Sequence, residues 1–76
     1  MFTLSKHNYE RYESSSSEVK AVSDNVEALR EYAKQFGCYP EMWDDNNVCV
    51  TFEELCLEGD SVYAQECYYI EPVTLV

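Results

Sequence analysis

The chain has 76 residues, 46% of them hydrophobic and 14% aromatic, with 15 acidic and five basic side chains for a net charge of −10. That length supports one small core, burying roughly 60% of the unfolded surface, and leaves no room for a second domain. The apolar content excludes a disordered acidic tail, and the charge argues against nucleic acid or an anionic membrane as a direct ligand, because both would be repelled.

The opening residues, Met1-Phe2-Thr3-Leu4-Ser5-Lys6, show no basic region followed by an apolar run, and no apolar stretch approaches the ~18 residues of a membrane helix. A soluble, cytoplasmic protein is expected. In a reducing compartment Cys38, Cys49, Cys56 and Cys67 are expected as free thiols, mostly buried.

In chain order, Phe2-Thr3-Leu4-Ser5 alternates as a strand, the serine run Ser14 to Ser17 supplies a polar turn, and Glu18-Val19-Lys20-Ala21-Val22 reads as a second strand. Next comes a helix, over residues 24 or 25 to 36. Asp24 with Glu27 three residues on fits a capping box, with Ser23 as an alternative cap. Val26, Leu29, Ala33 and Phe36 recur at helical spacing with Tyr32 on the flank, and Gly37 stands at the usual stop position.

Residues 39–47 read as a loop, entered through Pro40 and closed by a turn at Asp44-Asp45-Asn46-Asn47. Val48, Val50 and Phe52 then alternate with Cys49, Thr51 and Glu53 as a strand. Another follows, with Val62, Ala64, Tyr68 and Ile70 on one face and Tyr63, Gln65, Cys67 and Tyr69 on the other. A long hairpin turning at Gly59-Asp60 joins the two, while a capping box from Thr51 to Glu54 leaves open a short helix over residues 51–58. The fold expected is α+β in the order β-β-α-β-β, about four antiparallel strands with the helix packed on one sheet face and the other face exposed.

Chemistry finds little purchase in this sequence. His7 is the one histidine, and Cys38 beside a helix C-terminus sits where the dipole raises a thiol pKa, so an activated nucleophile is not expected. The cysteines are spaced by ten, six and ten residues, without the C-x-x-C pairs of zinc sites, and the Asp44 to Asn47 run lacks the spacing and Gly of a calcium loop. Glu53 and Glu54 are adjacent, so on a strand they point to opposite faces. No catalytic residue, metal or cofactor is expected.

Recognition of another protein remains. Residues 1–34 carry six acids against five bases, whereas residues 35–76 carry nine acids and no Lys or Arg. Tyr39, Trp43, Tyr63, Tyr68 and Tyr69 fall in that same segment, and Tyr and Trp are enriched at binding hot spots. The candidate interface is Trp43, Asp44, Asp45, Glu53, Glu54, Glu58, Asp60, Glu66, Tyr63 and Tyr69, directed at a basic surface of a partner. Carboxylates on alternate strand positions, ~6.6 Å apart, permit imitation of a nucleic-acid backbone, although Glu53, Glu54, Glu58 and Glu66 do not lie in one alternation. The runner-up function is an assembly protein that self-associates through the exposed sheet face.

In its size, acidity and tyrosine content the chain resembles the small inhibitors that bacteriophages and mobile elements encode against host defences, the anti-CRISPR and anti-restriction proteins. The stretch 25–36 and the ending Cys67-Tyr68-Tyr69-Ile70-Glu71-Pro72-Val73 also look like small phage α+β proteins. The resemblance implies a non-enzymatic inhibitor in the host cytoplasm, occupying the surface of a protein that handles nucleic acid.

Overall fold

A computed structural model describes residues 1–11, 15–57, 59 and 61–73. Strand β1 (Phe2–Glu10) and strand β2 (Ser16–Ser23) precede helix α1 (Val26–Ala33), and strands β3 (Val48–Leu55) and β4 (Val62–Pro72) follow it. Among the described residues the four strands form one antiparallel sheet in the order β2-β1-β4-β3, so the outer hairpins meet along a central β1–β4 seam. The fold is α+β in the expected order. The strand reading of residues 51–55 prevails over the helical one, because Phe52, Glu53 and Glu54 pair with Glu66, Gln65 and Ala64 of β4. The serine run divides: Ser16 and Ser17 pair with Asn8 and His7 inside β2, and Ser14 lies outside the described residues.

Helix α1 starts one residue later than its capping box suggested. Asn25, in extended backbone, accepts the Glu27 N–H through Oδ1 at 2.9 Å, and its own N–H donates to Ser23 Oγ. Asn25 is therefore the cap rather than Asp24, satisfying a first-turn N–H that has no partner within the helix. At the other end the chain tightens through a 3-10 turn (Lys34–Phe36) and stops at Gly37, with φ +88°. A Cβ is strained at that angle, which is the reason for Gly at this stop.

The helix stripe lands on one face of the sheet. Leu29 and Ala33 are buried against Leu4, Tyr68, Ile70, Cys38 and Cys49, with Phe2, Ala21, Val26, Phe36, Met42 and Trp43 packed around them. Phe36 stacks on Tyr68 at 5.4 Å between ring centroids, and Lys20 Nζ lies over the Phe36 ring 5.7 Å from its centroid. Lys20 is the extra residue of a bulge, since Leu4 pairs with Ala21 and Ser5 with Val19. The bulge shifts the register by one residue, so that Val19 pairs with Ser5 on the face opposite Ala21.

Size mismatch decides what stays uncovered. Eight helical residues span about 12 Å, whereas the 11 residues of β4 span about 37 Å. The molecule is correspondingly long, 43 × 30 × 21 Å, with a radius of gyration of 13.5 Å against ~11 Å for a compact chain of this length. The helix roofs one end of one face, leaving the outer half of the β3–β4 hairpin exposed and no helix on the opposite face, where Ser5 and Cys67 are nonetheless buried.

Candidate surface for protein recognition

The loop that leads into β3 is built for structure. Asp44 Oδ1 accepts the N–H groups of Asn46 and Val48 at 2.8 and 3.0 Å, and Asn47 closes the turn with its N–H on the Asp44 carbonyl. Asn47 takes φ +60°, a left-handed conformation that Asn tolerates better than most residues. Arg30 donates to Asn47 Oδ1, reaches Glu27 at 3.5 Å, and lays its guanidinium over the Trp43 ring at 5.9 Å. Trp43 in turn bridges to Cys49 and packs against the core. The structure thus places Trp43 beneath Arg30, half-buried with an enclosed Nε1, instead of at the tip of an acidic loop. Asp45 is exposed on the turn.

The strand acids separate. Glu53 faces away from the helix and accepts a hydrogen bond from Gln65 Nε2 at 2.9 Å, and Glu54, opposite Ala64, is exposed on the helix side. Glu66 forms an ion pair with Lys6 Nζ at 2.9 Å, and this bond raises the Lys6 pKa. The acids after residue 35 are therefore not wholly unopposed, as the linear sequence implies: the β1–β4 seam brings Lys6 to Glu66. It also brings Arg11 to the hairpin, where its N–H donates to the Tyr63 carbonyl and its guanidinium to Cys56 Sγ. Glu58 and Asp60, with the expected turn at Gly59-Asp60, lie outside the described residues in part or whole. Five to six residues of β3 separate the Asp44–Asp45 turn from Glu53 and Glu54, about 17–20 Å. The eight described candidates do not form one patch.

What the hairpin does assemble is a group that sequence reasoning missed. Past the roof of the helix, Phe52 and Leu55 are half-exposed and Leu57 is fully exposed, beside exposed Tyr63 and the carboxylates of Glu53 and Glu54. Strict alternation in the sequence sets Phe52 on the face of Val48 and Val50; the bulge at Thr51 turns it to the helix side, and no local pattern marks that bulge. The hairpin is kept in register by Thr51, whose hydroxyl donates to the Glu66 carbonyl at a second bulge, and by the Cys56 N–H on Ser61 O at 3.0 Å.

Two of the thiols, Cys38 and Cys49, belong to the core under the helix. Cys38, Cys49 and Cys67 are buried and Cys56 is half-buried, all as free thiols. Burial, followed by the hydrogen bond that its S–H donates to Cys49, pushes the Cys38 thiol from 9.0 to about 12. Burial also raises Cys49 and Cys67. A thiol kept protonated is a poor nucleophile and a poor metal ligand. Among the described residues no three His, Cys, Asp or Glu side chains gather to hold a metal ion, and no helix is long and apolar enough to cross a membrane. No family model, curated protein or solved structure matches the chain.

Proposed function

We propose that this protein is a non-enzymatic binding module, an inhibitor or adaptor, that docks on a basic protein surface with the outer half of its β3–β4 hairpin. One observation carries the reading: Phe52, Leu55 and Leu57 stand exposed beyond the reach of the helix, flanked by Glu53 and Glu54. Three apolar anchors along the outer six residues of one hairpin arm supply contact area, and the carboxylates select cationic surroundings and speed encounter. A partner whose basic surface normally handles nucleic acid fits that chemistry. Imitation of a phosphate backbone is not part of the reading, since Glu53 and Glu54 face opposite ways and Glu66 is bound to Lys6.

The test uses two baits, the native protein and the E53K/E54K variant, each immobilised and exposed to the same lysate at about 50 mM and about 500 mM salt, conditions that change the screening length roughly threefold. Basic proteins are expected on the native bait at low salt, and their retention is expected to fall at high salt and on the variant. Equal retention by both baits at both salt levels removes the reading.

A further inference from the structure

The sheet face turned away from the helix has a composition unlike that of the remaining surface. The strand registers line it up in rows across β2, β1, β4 and β3. Val19, Ser5, Tyr69 and Val48 form one row, and Ser17, His7, Cys67 and Val50 form the next. Val22 and Thr3 lie beyond the first row, ending at Glu71, and Tyr9 and Gln65 lie beyond the second, ending at Glu53. Between those rows this face carries no Lys or Arg among the described residues, Arg11 following Tyr9 at its outer end opposite Tyr63, and its carboxylates, Glu53 and Glu71, sit at its margins. In a chain with 15 acids and a net charge of −10, the middle of a sheet free of charge is an anomaly, because a solvated face is normally where such charges go. The valines on it are far from buried: Val19 is 58% and Val22 53% exposed.

We infer that this face is covered by a second copy of the same chain, the two sheets packing face to face about a two-fold axis. Size and charge both favour that occupant. Four strands at ~4.8 Å and the nine residues of β1 at ~3.3 Å make a sheet face of roughly 19 × 30 Å, so two faces bury on the order of 1,000 Å², the lower bound for a specific interface. Two-fold packing needs a self-complementary patch, and rows of Val, Tyr, Ser and Thr meeting at ~10 Å separation supply one. A basic partner, the kind that suits the hairpin, finds no carboxylate in the middle of this face to pair with. The acids that would repel a like chain lie at its margins, on the helix side or at the hairpin end.

The dimer is independent of the hairpin reading, and salt separates them with opposite signs. Screening weakens an acidic hairpin on a basic partner, whereas it strengthens the association of two chains of like charge. Sedimentation of the full chain over a range of concentrations is expected to show a monomer–dimer equilibrium that tightens from about 50 to about 500 mM salt. The exposed-strand variants V19K and V50K are each expected to weaken it at least tenfold, although each lowers the net repulsion between chains. E54K, on the helix side, is expected to leave it intact or tighten it. Circular dichroism melts establish that each variant is folded, and V19K suffices if V50K is not. A monomer at every concentration and salt level overturns the inference. So does a dimer that V19K leaves unchanged and E54K abolishes, since that pattern belongs to pairing along the β3 edge.

Discussion

The two ends of the β3–β4 hairpin are made of similar residues and do different things. Near the start of β3, Cys49 pairs with Tyr68 beneath the helix, and with Leu4, Ile70 and Leu29 they form a core that admits no solvent to Leu4 or Cys49. Three and six residues further on, the apolar Phe52 and Leu55 are half-exposed. Position relative to a 12 Å helix separates the two groups, more than side-chain type does. In a small domain one end is spent on stability and the other is left available for contact.

The largest effect that sharpens this contrast belongs to the covered end. Leu4 lies on the central strand, fully buried between α1 and β4, and Leu4→Ala is expected to cost about 2–5 kcal/mol. Against a total stability of ~5–15 kcal/mol that leaves the domain marginal or unfolded at 37 °C. Denaturant titration of the variant measures it, and a loss below ~1 kcal/mol would mean that the core is looser than its geometry indicates.

Alkaline pH acts on the same end. In the folded chain Cys38 ionises at about 12 rather than at 9.0, and burial raises Cys49 and Cys67 in the same direction. The unfolded thiols lose their protons first, so this stability is fully present below pH 9 and is lost progressively as pH rises toward 12. Melting temperatures are expected to decline through that window, with a shallower slope in Cys38→Ala whatever its starting stability. A parallel slope in the variant would remove Cys38 as a contributor.

Much of the fold was legible because the signals were local. The helical stripe of Val26, Leu29, Ala33 and Phe36, the stop at Gly37 and the two-face alternation of β4 each follow from residues within one turn or a few strand positions. The cap was misplaced by one residue because Asp24 and Asn25 are both good caps, and only the backbone angle at Asn25 decides between them. The surface was less legible for a different reason. Pairing of β1 with β4 joins residues about 60 apart, so no local pattern reveals that Lys6 meets Glu66 or that Arg11 meets Cys56. Trp43 was misjudged likewise: its acidic neighbours in sequence suggested exposure, while Arg30 and Cys49 draw it inward.

The smallest expected effect on stability tests the uncovered end most directly. Leu57 is fully exposed, so Leu57→Ser is expected to change stability by no more than about 0.5 kcal/mol. An exposed leucine kept for the fold has nothing to pack on, and replacing it with Ser should then raise solubility and leave every interaction of the protein intact. A leucine that anchors a partner gives the other combination, an unchanged melt with retention of basic proteins reduced severalfold. Phe52→Ser sharpens the distinction, because Phe52 adjoins Glu53 and Glu54 on an outer strand, where carboxylates also guard against strand-to-strand aggregation. If the acids serve only as guards, Phe52→Ser lowers aggregation, E53K/E54K keeps the edge charged and guarded, and neither alters binding. If hydrophobe and acid act on one partner, both changes reduce its retention while the core end of the hairpin keeps the same melting temperature.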